Sequence, residues 1–135
     1  MDLTTLIQDQ LKDLFPGLLG IEFLSADTRE VKARMTVRPE LCTLGGKLHG
    51  GALMTLADTL GAVGAFLNLP QGASTTTIES KTNFTGSARQ GATVTGTSTL
   101  VHKGRSLLVW QTEIRDAEGK LLGLVTQTQM VLATP

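Results

Sequence analysis

Residues 50–69 are apolar or small at almost every position, hold no internal proline, and fit a helix of about 30 Å at 1.5 Å per residue. A helix that is apolar on nearly every side must be enclosed by other elements, so the rest of the chain is expected to build a cover for it. One carboxylate, Asp58, interrupts the run. An ionised group among apolar neighbours is costly unless it is paired, hydrated or put to use, which makes Asp58 the first candidate for function. The same length suits a bilayer span. Three features oppose that reading: Asp58 stands at the centre, no basic cluster flanks the segment, and the remaining chain has soluble strand patterns that need a core.

The flanking sequence supplies the cover. Residues 4–15 place Leu6, Leu11, Leu14 and Phe15 among polar neighbours, predicting a short amphipathic helix ended by Pro16-Gly17. Residues 21–26 and 30–37, joined by Asp27-Thr28-Arg29, predict a hairpin. Val31, Ala33, Met35 and Val37 alternate with Lys32, Arg34, Thr36 and Arg38, so one face is wet. After Pro70-Gln71-Gly72 come four more strands, at 73–85, 92–101, 107–115 and 121–132, rich in Thr and in β-branched or large apolar residues. The connections at 86–91, 102–105 and 116–120 are short and contain glycine, so each is expected to join antiparallel neighbours. The class is α+β: an antiparallel sheet curled around a long central helix, in one domain over residues 1–135.

Charge and cysteine content narrow the partners. Twelve basic residues balance twelve acidic ones, so no overall field favours nucleic acid or an anionic membrane. The lone Cys42 cannot form an internal disulfide and reads as a small hydrophobe. The first residues lack the basic and apolar regions of a signal peptide, and a cytoplasmic setting is expected.

On a helical wheel Leu53, Leu56, Leu60, Val63 and Leu67 form one stripe, expected to face the sheet. A different face carries Gly51, Met54, Thr55, Asp58, Gly61, Ala62 and Ala65, small enough for a backbone or ligand to come close. Two readings of Asp58 stand: a structural carboxylate, solvated or satisfied by Thr55 and backbone donors, or a functional one. No Ser, Thr, Asp or Asn immediately precedes the helix, so its first N–H groups have no obvious cap. With Gly50 and Gly51 bare, a carbonyl oxygen can approach those donors and the positive end of the helix dipole; the plain alternative is a tight glycine turn bathed in water. His49 is either a donor to a developing oxyanion or a capping or packing residue. No Gly-x-Ser-x-Gly elbow, Cys/His cluster, Gly-x-Gly-x-x-Gly turn or phosphate loop occurs, which argues against a serine triad, a zinc site and a Rossmann cofactor.

Spacing adds a requirement. Gly50 and Asp58 are eight residues apart, about 12 Å along one helix, too far for both to touch one reacting carbon. If both serve one substrate, they come from two copies of the helix across a twofold axis, and the smallest active unit is a homodimer.

Gly46-Lys47-Leu48-His49-Gly50-Gly51, followed by Leu56-Ala57-Asp58, resembles the hot-dog-fold acyl-CoA thioesterases, in particular the phenylacetate-degradation and 4-hydroxybenzoyl-CoA thioesterase groups. The resemblance extends over the order of elements from about Gly20 to Leu132. It implies a helix wrapped by an antiparallel sheet, dimers with a continuous sheet that pair into tetramers, and active sites at the dimer interface. By position it makes Asp58 the catalytic carboxylate and Gly50 the backbone oxyanion donor, with His49 and Gly51 beside it. Thr77 is the nearest match to a strand hydroxyl that places water or nucleophile. Six residues before His49, where the family often has Asn or Gln, this chain has Thr43, a shorter reach for positioning the thioester. Arg89, Lys103 and Arg105 are read either as contacts for CoA phosphates or as surface residues that aid solubility.

The expected activity is hydrolysis of an aryl- or medium-chain acyl-CoA to acid and free CoA, without metal or redox cofactor. The competing expectation is an acyl-CoA-binding hot-dog module without catalysis, or an acyl-CoA hydratase. A DNA-reading sensor of that kind needs an added basic segment, and a hydratase an acid/base pair along the acyl chain; neither is visible.

Overall fold

The computed structural model describes residues 2–133. The elements run α1 (Leu3–Leu11), α2 (Phe15–Leu18), β1 (Glu22–Ala26), β2 (Glu30–Thr36), a 3₁₀ turn (Pro39–Leu41), β3 (Cys42–Thr43), β4 (Lys47–Leu48) and α3 (Gly50–Leu67). Strands β5 (Ser74–Phe84), β6 (Thr93–Lys103), β7 (Leu107–Arg115) and β8 (Leu121–Leu132) follow. Six strands form one antiparallel sheet in the order β1-β2-β6-β7-β8-β5, and β3 pairs with β4 as a separate small hairpin. Helix α3 lies across this sheet and touches β2, β5, β6, β7 and β8. The core between them holds Val31, Ala33, Met35, Leu53, Leu56, Leu60, Val94, Ile114 and Val125. Helix α3 is long and apolar enough to cross a membrane by length and composition, and half of it is buried within the fold.

Four sequence expectations are corrected. The N-terminal helix ends at Leu11. Pro16 sits in the first turn of the separate α2, where its missing N–H has no intrahelical partner to lose. Segment 86–91 does not join sheet neighbours: β5 pairs only with β8 at one edge, while β6 lies between β2 and β7. That segment instead crosses the end of the sheet and closes on the β3–β4 hairpin, where Leu48 N–H donates to the Ala88 carbonyl and Gln90 N–H to the Gly46 carbonyl. The glycines at 86 and 91 are compatible with a tight hairpin, but strand partners depend on contacts over long sequence distances.

The third correction concerns the helix stripe. Leu53, Leu56 and Leu60 face the sheet as expected, but Val63 and Leu67 look into a cleft on the other side. Their places against the sheet go to Gly61 and Gly64. The Gln127 carboxamide fills the space a side chain at Gly61 would need, and the Trp110 ring would lie 2.5 Å from a Cβ at Gly64. Two large strand residues, adjacent in register on β7 and β8, are thus seated in two notches of α3. The fourth is the cover itself: it is one-sided. Phe66 is 62% exposed, and the face bearing Met54, Asp58 and Ala62 looks toward α1 across open space.

Local bonds set the position of both helices. Gln8 on α1 accepts from Phe23 N–H at 2.8 Å and donates to the Ile21 carbonyl at 2.9 Å, imitating a strand at the edge of β1. At the far end of α3 the Asn68 amide donates to the Thr28 and Gly64 carbonyls, tying the helix C-terminus to the turn of the first hairpin.

Candidate active site

At the start of α3, His49 Nδ1 accepts from Gly51 N–H at 2.8 Å. The helix therefore has a side-chain cap after all, supplied by an imidazole rather than by the residue types that usually do this. A ring nitrogen that accepts carries no proton, so neutral His49 bears its proton on Nε2. The Gly51 N–H is spent on the ring, and Ala52 and Leu53 N–H both donate to the His49 carbonyl. Gly50 N–H has no partner among the described residues. Of the expected donors at this terminus, Gly50 is open and Gly51 is occupied. The Phe84 ring packs over Gly50, 3.0 Å from where a Cβ would stand.

Two turns further on, Asp58 is half-buried. Its Oδ1 accepts from Thr77 Oγ1 at 2.7 Å and from Gln127 Nε2 at 3.3 Å, and the same Gln127 nitrogen lies 3.4 Å from the Asp58 carbonyl. Thr55, a donor considered from sequence, bonds to the Gly51 carbonyl instead, one helical turn back. Asp58 Oδ2 has no hydrogen-bond partner among the described residues. One carboxylate oxygen is held and the other is left to the cleft that Asp58 lines.

Thr77 lies with Thr75 on the inward face of β5, immediately before an irregularity in that strand. Its pairing with β8 shifts between Thr77 and Glu79, inserting Ile78, so the inward positions change from Thr75 and Thr77 to Ser80 and Thr82. A bulge re-aims side chains and strengthens local twist, and this one lies directly beside the Asp58 contact. The glutamines were missed from sequence. Gln127 and Gln129 are both fully buried on β8. Extending the inward phase from Val125 along the strand would have put two carboxamides in the core, a signal worth following because buried amides need partners.

The cleft facing Asp58 has a volume of about 830 Å³. Leu6, Ile7 and Leu11 form one wall, and Ala62, Val63 and Phe66 the other. A second hollow of about 520 Å³ lies at the α3 N-terminus, lined in part by Arg38, Cys42, His49 and Gly51. Thr55 and Phe15 border both. Thr43 is exposed on β3, opposite Lys47. Arg89 bridges to Lys47 and so belongs to the end of the molecule where α3 begins. Lys103 and Arg105 do not join it: they flank the β6–β7 turn, about 30 Å along β6 from the strand's start. Within one chain the structure brings Asp58 to Thr77 and His49 to Gly51. It leaves the two half-sites a helix segment apart.

The sequence pattern of the thioesterase superfamily matches residues 45–122, from the glycine loop into β8. A putative esterase of Deinococcus radiodurans is 34% identical over 116 residues, covering 85% of this chain and 72% of that protein. A 1,4-dihydroxy-2-naphthoyl-CoA hydrolase of Escherichia coli is 34% identical over 105 residues, 78% of this chain and 76% of the relative. Among solved structures, a thioesterase of Haemophilus influenzae superposes with a TM-score of 0.91 at 28% identity, covering 98% of this chain and 92% of the other.

Proposed function

The chain belongs to the thioesterase superfamily, and from that premise we propose that it hydrolyses an acyl-CoA thioester to the free acid and CoA. The observation that carries the reading is Asp58: a carboxylate with one oxygen held by Thr77 and Gln127 and the other free at the edge of an apolar cleft. In the reaction, the free oxygen takes a proton from water as the water oxygen attacks the thioester carbon, or attacks that carbon itself to give a mixed anhydride that water then cleaves. The carbonyl oxygen, gaining negative charge, receives the Gly50 N–H and the positive end of α3. The C–S bond breaks and CoA leaves as the thiolate. Apolar walls at Leu6, Ile7, Val63 and Phe66 suit an aryl or medium-chain acyl group, and the Escherichia coli relative is named for an aryl-CoA.

The donor and carboxylate of one reaction come from two protomers. They are about 12 Å apart along α3. β5 offers an edge eleven residues long, unpaired among the described residues, that includes exposed Ile78 and Phe84, which suits pairing with a second copy about a twofold axis. Release of free thiol from a panel of aryl- and fatty-acyl-CoAs tests the reading directly: turnover of at least one class is expected, and binding with no CoA released overturns it. A single turnover in ¹⁸O water that leaves label in Asp58 then establishes the anhydride route, with water cleaving at the Asp58 carbonyl carbon.

A further inference from the structure

Behind Asp58 a line of polar side chains runs from Thr77 through buried Gln129 to Thr75, which reaches the cleft wall. Gln129 Nε2 is 2.6 Å from Thr77 Oγ1, and Thr75 Oγ1 is 3.1 Å from Gln129 Oε1 and 2.9 Å from the Met130 carbonyl. We propose that Gln129 is a positioning residue for the hydrolysis: it commits the Thr77 hydroxyl proton to Asp58 Oδ1 and, with Gln127, leaves Oδ2 as the one oxygen free to react.

The direction of each bond follows from the carboxylate outward. Ionised Asp58 only accepts, so Thr77, 2.7 Å away, must donate to it. A hydroxyl has one proton, so Gln129 can approach Thr77 only with its NH₂ end. That turns Gln129 Oε1 toward Thr75, whose single proton is shared between this oxygen and the Met130 carbonyl. Gln127 is held the same way: its opposite orientation would set a carbonyl oxygen against both Asp58 Oδ1 and the Asp58 carbonyl. In this arrangement its own Oε1 is left buried with no partner among the described residues, a cost tolerated only if the inward NH₂ is worth more.

Thr77 thus has its proton engaged by Asp58 and one lone pair engaged by Gln129. It serves as a fixed donor to the carboxylate rather than as a hydroxyl that delivers its proton to water. Because both glutamines are fully buried and neither lines the cleft, their effect reaches substrate only through Asp58 and Thr77.

The proposal rests on the hydrolytic reading, and its test has one arm that does not. In the full-length protein, Gln129→Met keeps the volume and removes the donor. It is expected to lower kcat roughly tenfold, the worth of one hydrogen bond to a committed partner, with KM unchanged. In a Thr77→Val background the same substitution is expected to have no further effect on kcat. An unchanged kcat in folded Gln129→Met, or the same loss in both backgrounds, overturns the proposal. The second arm is ¹⁵N NMR of the Gln side-chain amides in wild type and Thr77→Val. The Gln129 NH₂ protons are expected to exchange slowly and to shift when Thr77 loses its hydroxyl. Fast exchange, or no shift, refutes the contact whether or not any acyl-CoA is turned over and whether or not Gln129→Met folds.

Discussion

The two halves of the site sit on one helix and are built in opposite ways. At the N-terminus of α3 the cap is local: His49 caps a donor two residues away and leaves its neighbour Gly50 open beneath the Phe84 ring. At Asp58 everything is distant: Thr77 is 19 residues on and Gln127 is 69. A local arrangement survives wherever the helix survives, whereas a distant one exists only when β5 and β8 are in register. The contrast teaches that the cap itself can tolerate change in the sheet, while the carboxylate end reports on it.

The sharpest way to break this contrast is at the carboxylate. Asp58→Asn retains the contacts to Thr77 and Gln127 in shape but removes the base, so kcat for thiol release is expected to fall about 10²–10⁴-fold with fold and oligomeric state intact. A folded variant with near-normal turnover would remove Asp58 from the mechanism. Next comes the sheet's hold on the helix. Gly64→Leu drives a side chain into the Trp110 ring, and thermal or urea unfolding should show a loss of about 1–3 kcal/mol.

The local end predicts a smaller and divisible effect. His49→Ala removes the cap and is expected to cost about 0.5–1 kcal/mol of stability. His49→Asn, a good N-cap, should restore that stability; if activity returns as well, the ring serves only as a cap, and if it does not, the Nε2 proton has a role of its own. The smallest effect belongs to another local turn. Asp27 Oδ1 accepts from the N–H groups of Arg29 and Glu30, and these bonds hold its carboxyl below the usual aspartate range. A folded value below the unfolded one means that the stabilisation is complete above the unfolded value, about 3.9, and is lost as pH falls through the folded one. Asp27→Ala should therefore lower Tm slightly at neutral pH, and its difference from wild type should close in strong acid.

Much of this was legible in the chain because it depends on neighbours. The alternation at Val31, Ala33, Met35 and Val37 marked a half-buried strand, and the run from Gly50 marked the helix, since both periods are properties of the backbone. Asp58 stood out from the residue pattern alone, whereas Thr77 was legible only with help from family resemblance. Their meeting depends on how α3 packs against β5, 19 residues on in the chain, which no local pattern encodes. The cap at His49 was within reach but was weighed as one of two roles, because imidazole is an uncommon choice there.

What the sequence by itself determined is the central helix with its lone Asp58, the α+β order of elements, and the 12 Å gap that no single helix can close. Each follows from short-range geometry. What only the tertiary structure decided is that Gly61 and Gly64, rather than Val63 and Leu67, continue the sheet-facing side of α3, that β5 leaves β6 for β8, and that two buried glutamines stand behind the carboxylate. Those choices rest on volumes and hydrogen bonds between residues far apart in the chain: Gln127 against Gly61, Trp110 against Gly64, Gln129 against Thr77. No local pattern encodes them, because the partner that gives each residue its role is brought to it by folding.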